Sequence, residues 1–256
     1  MTLGIVFAMV FGLALGSFLN VCIYRIPLKK SIVRPPSSCP QCGARIRFYD
    51  NIPVISYIML LGRCRHCRTP ISLRYPLVEI LIGLVSVALF IKFPSRANYI
   101  LFFLFTAALL AIAFIDLQHK IIPDVISLPG ILVGLAFSFF PSATISPIEA
   151  LIGGVGGGGF LLLVGTAFEK LTGREGMGGG DVKLLAMIGA WMGWKALPFI
   201  ILISSLTGAV IGGVSLVISR QGMRSRIPFG PFLALGALVF LFFGDDITLW
   251  FYRLGR

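Results

Sequence analysis

The segment NYILFFLFTAALLAIAFIDL, residues 98–117, decides the fold. It carries no charged side chain before Asp116, and a helix that crosses a bilayer needs about 20 predominantly apolar residues. The segment therefore predicts a transmembrane helix that ends on a carboxylate. An ionisable group at the edge of the lipid is costly, so Asp116 is a candidate functional residue.

Similar apolar segments lie on both sides of this one. The chain has 256 residues, of which 57% are hydrophobic and 12% charged, and this is more apolar than a soluble core of that length requires. The sequence predicts an all-α polytopic membrane protein with about eight transmembrane helices. The other predicted spans are 3–23, 76–93, 125–140, 148–168, 181–194, 196–219 and 229–244. The first is interpreted as a retained helix rather than a signal peptide.

The distribution of lysine and arginine predicts the orientation. With Met1 outside, most of the 22 basic residues fall in the inner segments 24–75, 117–124, 169–183 and 220–228. Basic loops remain in the cytoplasm, so the N-terminus is expected outside and loop 24–75 inside. Contact of these loops with anionic membrane lipid accounts for the net charge of +12, and no nucleic-acid partner is predicted.

The loop of residues 24–75 contains four cysteines, Cys39, Cys42, Cys64 and Cys67, in two C-x2-C pairs. Two such pairs can surround one zinc ion tetrahedrally, and Gly43 suits the turn after the first pair. Four thiolates leave no open coordination position, so a structural zinc is predicted in a zinc-ribbon-like loop. Disulfides are the alternative, which a reducing cytoplasm disfavours.

A second aspartate, Asp181, begins the predicted span 181–194. Two spans separate it from Asp116, so both carboxylates return to the same membrane face. Asp181 could simply stabilise the N-terminus of its helix, where the helix dipole favours negative charge. At the C-terminus of a helix the dipole disfavours negative charge, so this explanation does not hold for Asp116. By these helix ends, charge is expected on Asp181 and the proton on Asp116.

Such a pair predicts aspartic-protease chemistry, in which the charged member activates water and the protonated member polarises a carbonyl. Gly179 and Gly180 would let an extended peptide approach, and Lys183 could hold nearby backbone or a lipid headgroup. We take these three residues as supporting site residues. Two alternatives remain: a transporter in which the aspartates relay protons or bind a cation, and a zinc-binding scaffold without chemistry.

Five motifs together resemble the type IV prepilin peptidases, a family of bifunctional leader peptidases and N-methyltransferases of the bacterial inner membrane. The motifs are GLALGSFLNVCIYRIP (12–27), DNIPVISYIMLLG (50–62), RYPLVEI (74–80), DLQHKIIPD (116–124) and GMGGGDVKLL (176–185). The resemblance implies eight spans and cleavage of prepilins or pseudopilins after the glycine that ends a short basic leader. It also implies that S-adenosylmethionine supplies a methyl group to the new N-terminus.

The same resemblance places the catalytic aspartates on Asp116 and Asp181, at the cytoplasmic face. It also divides the chain into a methyltransferase-associated region, 1–93, and a peptidase region, 94–256. By resemblance, the methyl donor is expected near Gly16, Asn20, Tyr24, Arg25 and Glu79. Pairing with Arg74 is an alternative role for Glu79.

Overall fold

The computed structural model describes residues 2–173, 177–219 and 228–254, and within these ranges the chain is almost entirely helical, with no β-strand. The helices are α1 (Thr2–Arg25), α2 (Ile55–Met59), α3 (Arg74–Lys92), α4 (Arg96–His119), α5 (Asp124–Phe137), α6 (Pro147–Thr172), α7 (Gly179–Met192), α8 (Leu197–Ser219) and α9 (Gly230–Leu254). The basic residues Arg174, Arg220, Arg224 and Arg226, which contributed to the orientation prediction, lie outside the described ranges.

Eight of these helices coincide with the eight predicted segments, which confirms the all-helical membrane architecture. Among the described residues, six helices are long and apolar enough to cross a membrane, and these are α1, α3, α4, α6, α8 and α9. Helices α5 and α7 have 14 residues each. A helix of that length extends about 21 Å, which is less than the roughly 30 Å of a hydrocarbon core. The predicted short segment 229–244, in contrast, belongs to a helix of 25 residues.

The chain forms two compact units, Met1–Ala107 and Ala108–Arg256. The division falls within α4, whereas the boundary predicted from the sequence, 93/94, lies just before that helix.

In the first unit, α1 and α3 pack closely because glycines face the contact. A Cβ atom on Gly12 would lie 2.6 Å from Cβ of Ser86, and one on Gly16 would lie 2.7 Å from Cα of Glu79. The Ser86 hydroxyl donates a buried hydrogen bond of 2.6 Å to the Ala8 carbonyl. These contacts fix the helix pair from which the cysteine-containing loop extends.

In the second unit, the glycines of α6 form a surface on which α7 packs. A Cβ on Gly153 would collide with the Gly189 carbonyl oxygen, and one on Gly157 would lie 2.8 Å from the Leu185 carbonyl oxygen. Trp191 anchors the other side of α7, since its indole N–H donates to the Gly130 carbonyl of α5 at 2.8 Å. Helix α7 is thus held between α5 and α6, and Asp181 lies at its start.

Candidate active site and metal centre

Asp116 lies one turn before the end of α4 and is only 5% exposed. The backbone N–H of Gly230, at the start of α9, donates a buried hydrogen bond of 3.0 Å to its Oδ2. A Cβ on Gly230 would lie 2.6 Å from that oxygen, so a larger residue would displace the carboxylate. The C-terminus of α4 disfavours negative charge on Asp116, whereas the N-terminus of α9 favours it.

The hydrogen bond from Gly230 changes the prediction of which aspartate carries the proton. From the ends of α4 and α7 alone, the proton was expected on Asp116. The N–H of Gly230 stabilises negative charge on Asp116, because a donor to a carboxylate favours its ionised form. The helix ends together no longer favour either aspartate as the protonated one.

Asp181 is the third residue of α7 and is partly exposed. The side chain of Ile122 connects its surroundings to those of Asp116. A Cβ on Gly180 would lie 2.9 Å from Cβ of Ile122, and one on Gly230 would lie 3.4 Å from Cδ1 of the same residue. The two carboxylates also interact electrostatically. The structure thus brings Asp116 and Asp181 together, as expected for two residues separated by two predicted spans.

The glycines before Asp181 differ in their surroundings. Gly180 packs tightly on Ile122, whereas no described atom lies within 4 Å of the Cβ position of Gly179. A small cavity of about 120 Å³ opens beside Gly179, and Met177 and Val182 contribute to its wall. Gly180 therefore has a packing role, whereas Gly179 borders a space that the described side chains do not fill.

Lys183 forms an ion pair with Asp124, with Nζ 2.7 Å from Oδ1 and 2.8 Å from Oδ2. This pair connects the fifth residue of α7 with the first residue of α5. The sequence placed Lys183 near the site but did not identify Asp124 as its partner, because no spacing rule relates residues on separate helices.

The four cysteines of the loop converge on one point. Their sulfur atoms all lie within 4.8 Å of one another, and the Sγ atoms of Cys39 and Cys67 are 3.7 Å apart. A tetrahedral zinc with Zn–S bonds of about 2.3 Å requires S···S separations of about 3.8 Å. The donor set and its spacing thus fit a zinc ion.

Each cysteine pair forms the same tight turn. Cys39 N–H donates to the Ala44 carbonyl, and Cys64 N–H donates to the Thr69 carbonyl, both at 2.9 Å. Gly43 has a φ of 69°, as the sequence predicted, and Arg68 occupies the equivalent position with a φ of 60°. This second left-handed residue could not be predicted from the sequence, because arginine rarely adopts that conformation.

The electrostatics of the cluster favour a bound cation. Hydrogen bonds from the side chain and backbone of Thr69 lower the pKa of Cys67 to about 6. A backbone hydrogen bond with Ala44 lowers the pKa of Cys42, but desolvation and the neighbouring thiols outweigh it and raise that pKa to about 11. Four adjacent thiolates repel one another, and a metal ion would remove that repulsion.

An ion pair braces the same loop. The Arg65 guanidinium donates to both oxygens of Asp50, from Nε at 3.0 and 2.9 Å and from one terminal nitrogen at 2.6 Å. The hydrogen bond from Arg65 holds the pKa of Asp50 below its usual range. Because Arg65 lies between Cys64 and Cys67, the pair ties the DNIP motif to the second cysteine turn.

Three of the residues expected near the methyl donor lie at the α1–α3 contact. Gly16 packs on the backbone of Glu79, and Asn20 donates from Nδ2 to the Tyr75 carbonyl at 3.0 Å. The carboxylate of Glu79 accepts hydrogen bonds from Val54 N–H at 2.8 Å and from the Ser17 side chain. Gly16 thus has a packing role in addition to any role toward a ligand.

The remaining two lie near the C-terminal end of α1. Tyr24 is 45% exposed, with the Lys30 ammonium 5.9 Å from its ring centroid. Arg25 donates to the Ser31 carbonyl at 2.9 Å and lines a cavity of about 360 Å³. For Arg74, the guanidinium lies over the Tyr75 ring, 5.3 Å from its centroid.

Comparison with known proteins adds independent information. Residues 10–93 match the Bacterial Peptidase A24 N-terminal domain, and residues 103–213 match the Type IV leader peptidase family, the range that contains both aspartates. No solved structure matches the chain.

Several curated proteins named "Prepilin leader peptidase/N-methyltransferase" are similar to this chain along most of its length. The protein of Burkholderia pseudomallei (strain 1026b) is 42% identical, covering 95% of this chain and 86% of its own length. Those of Aeromonas hydrophila and Pseudomonas aeruginosa are each 41% identical, covering 94% and 93% of this chain and 91% and 89% of their own lengths. No match supports a transporter. The chain therefore belongs to the type IV leader peptidase family.

Proposed function

We propose that this chain cleaves the leader peptide from type IV prepilins or pseudopilins after a glycine, with Asp116 and Asp181 as the catalytic pair. It then methylates the new N-terminal residue. The observation that carries the first activity is the convergence of the two aspartates beside Ile122, with Asp116 held by Gly230 N–H. The names of the relatives support both activities.

The two carboxylates act as a unit, because adjacent like charges favour a state in which one proton is shared. The ionised carboxylate accepts a proton from water as the water oxygen attacks the scissile carbonyl carbon. The protonated carboxyl donates a hydrogen bond to the carbonyl oxygen and stabilises the tetrahedral intermediate. The C–N bond then breaks, and the leaving nitrogen receives a proton from the pair.

The substrate backbone approaches at Gly179, where the described structure leaves open space next to Asp181. Gly180 and the ion pair between Lys183 and Asp124 position the start of α7. In this proposal Gly180 and Lys183 act through the placement of Asp181 and do not themselves contact the substrate.

The orientation places the N-terminus outside and both the aspartates and the cysteine loop at the cytoplasmic face. The concentration of basic residues in the predicted inner loops supports this orientation. A prepilin with a basic leader in the cytoplasm and an apolar helix in the lipid would present its cleavage site at that depth. Membrane lipid surrounds the helices, and nucleic acid has no role.

Methyl transfer belongs to residues 1–93 in this proposal. The peptidase match begins at residue 103, so the four-cysteine loop lies in the part of the chain matched by the separate N-terminal domain. The four cysteines hold a structural zinc, which orders a loop too small to build its own core. When bound, S-adenosylmethionine would supply the methyl group for the amine of the new N-terminus, and the residues expected to hold it are Gly16, Asn20, Tyr24, Arg25 and Glu79.

One experiment tests both activities. Purified protein in detergent is incubated with a prepilin, with and without S-adenosylmethionine, and the products are identified by mass spectrometry. The wild type is expected to release the leader and, with the donor present, to add one methyl group. Asp116→Asn and Asp181→Asn are expected to abolish cleavage. If both variants still cut the prepilin, the aspartates are not the catalytic pair.

A further inference from the structure

The loop between α1 and α3 contains an uncharged segment, residues 51–62, that exposes large apolar side chains. The segment covers α2 and the turns on either side of it, and its sequence, NIPVISYIMLLG, has no charged residue. Five of its apolar side chains are between 45% and 83% exposed: Ile52, Ile55, Ile58, Met59 and Leu61. An apolar surface of this kind indicates a partner that covers it, either another protein or a membrane.

The polar groups of the segment are turned toward the protein instead. The Ser56 hydroxyl donates to the Tyr49 carbonyl at 2.8 Å, and the Tyr57 hydroxyl donates to the Ile71 carbonyl at 3.1 Å. Backbone N–H groups along the segment also donate to acceptors within the protein, and these groups belong to Ile52, Val54, Ile55, Ser56, Ile58, Leu60, Leu61 and Gly62. Backbone that enters lipid must satisfy its hydrogen bonds in this way, because hydrocarbon supplies no partners.

The segment lies beside a membrane-spanning helix and not beyond its end. The Val54 N–H, just before α2, donates to the Glu79 carboxylate at 2.8 Å. Glu79 is five residues after Arg74, the first residue of α3, or about 7.5 Å along the helix at about 1.5 Å per residue. Because α3 has only 19 residues, its whole length is needed to cross the hydrocarbon core. The start of α2 is thus level with a part of α3 that already lies in lipid.

A phospholipid bilayer fits both the apolar surface and its two ends. Arg63 follows the segment directly and is exposed, and its guanidinium suits a lipid phosphate. Asp50 precedes the segment and would repel a phosphate, but Arg65 forms an ion pair with it. The same bilayer contacts α3, on which the exposed side chains Leu77 and Leu84 lie on one face because they are seven residues apart.

We propose that residues 51–62 insert into one leaflet of the bilayer as a shallow segment, with the exposed side chains of α2 among the acyl chains and Arg63 at the phosphates. The depth of about 7.5 Å given by the Val54–Glu79 hydrogen bond agrees with the roughly 5–10 Å to which amphipathic segments bury their apolar side. The cysteine cluster then lies close to the membrane surface, because Cys64 follows Arg63 directly. This insertion goes beyond the proposed chemistry and does not depend on it.

Photolabelling of the full-length wild type tests the insertion without a variant. The protein is reconstituted in vesicles of phosphatidylethanolamine and phosphatidylglycerol that contain a phospholipid with a diazirine in the upper part of one acyl chain. After irradiation, labelled peptides are identified by mass spectrometry. Label on residues 51–62 is expected to match that on the exposed face of α3 and to exceed several-fold that on residues 40–45, the largely exposed first cysteine turn. Label on residues 51–62 no higher than on residues 40–45 would overturn the insertion.

Two tryptophan variants provide a second measurement. Met59→Trp places a fluorophore on the proposed inserted surface, and Gln41→Trp places one on the exposed first cysteine turn. Phospholipids brominated in the acyl chain are expected to quench most of the emission that Met59→Trp adds to the wild-type spectrum, and little of that added by Gln41→Trp. Melting temperatures establish that both variants are folded.

Equal quenching of the two variants would contradict the insertion. Chemical crosslinks through residues 51–62 to a second copy of the chain, without any lipid adduct on these residues, would also overturn it. In that case protein and not lipid would cover the apolar surface.

Discussion

The backbone N–H of Gly230 donates to Oδ2 of Asp116 at 3.0 Å, and both residues are buried. This hydrogen bond joins the first residue of α9 to the last turn of α4, residues that lie 114 positions apart in the chain. It fixes the carboxylate in one position and places a helix N-terminus against it. Gly230 is therefore a positioning residue for the proposed catalytic pair.

We expect Gly230→Ala to lower kcat/KM for prepilin cleavage by about 100-fold, because displacing a catalytic group by about 1 Å can have that effect. The added Cβ would lie 2.6 Å from the Asp116 oxygen and must displace it. Methylation of a pilin already freed of its leader serves as the readout of intact folding and is expected to persist. The matched control is Gly156→Ala, since no described atom lies within 4 Å of the Cβ position of Gly156. Cleavage within threefold of wild type by Gly230→Ala would contradict the positioning role.

Asp116→Asn and Asp181→Asn are each expected to reduce cleavage by about 1,000-fold or more, because general acid–base groups contribute about 10²- to 10⁴-fold. Since the two residues act as a unit, the double variant should be no slower than the slower single variant. Single-turnover cleavage rates measure all three proteins. Additive losses in the double variant would show that the two aspartates act independently.

The sequence predicted the parts of this site that depend on local pattern. Apolar segments identified the helices, and counting spans between Asp116 and Asp181 placed both at one face. Spacing also identified the cysteine cluster. Each of these predictions uses residues that are close in the sequence, or residues whose membrane face follows from the number of spans between them.

The contacts between distant segments could not be predicted. The Gly230–Pro231 dipeptide indicates a helix start, but nothing in the sequence relates that start to Asp116. The predicted segment 125–140 extends three residues past the end of α5 at Phe137, because apolar residues continue beyond Ser138. The predicted segment 181–194 has the length of α7 but begins and ends two residues later than the helix. Tertiary packing decides these features.

Loss of the ion pair between Lys183 and Asp124 is expected to have only a small effect on cleavage. The two side chains are 39% and 56% exposed, so solvent screens the pair and it contributes about 0.2–1 kcal/mol to stability. Lys183→Gln and Asp124→Asn are each expected to lower kcat/KM by a few-fold, by loosening the start of α7, and the double variant by no more than either single one. Steady-state cleavage by the four proteins forms a double-mutant cycle. A loss of 100-fold or more in Lys183→Gln alone would indicate that the lysine contacts the reacting groups.

Removal of zinc is expected to impair methyl transfer more than cleavage. The four cysteines belong to the compact unit that contains the N-terminal domain match, whereas both aspartates belong to the other compact unit. Elemental analysis should find one zinc per wild-type chain and a large deficit in Cys64→Ser. Rates of methylation and cleavage are then compared for the two proteins, with Cys22→Ser as a control that removes a buried thiol outside the cluster. Equal loss of both rates in Cys64→Ser would show that the metal also supports the peptidase site.

Gly179 and Gly180 are adjacent, yet substitution should affect them differently. Alanine at Gly180 places a Cβ 2.9 Å from Cβ of Ile122, an atom close to the backbone that cannot easily move, so both the melting temperature and the cleavage rate should fall. Alanine at Gly179 meets no described atom within 4 Å, so the melting temperature should match that of the wild type. If substrate backbone passes over this residue, the same Cβ obstructs it, and kcat/KM should fall about tenfold or more through weaker binding of the transition state. A Gly179→Ala protein with wild-type cleavage would mean that the prepilin reaches Asp181 from another side, and the open space beside Gly179 would then have no part in substrate binding.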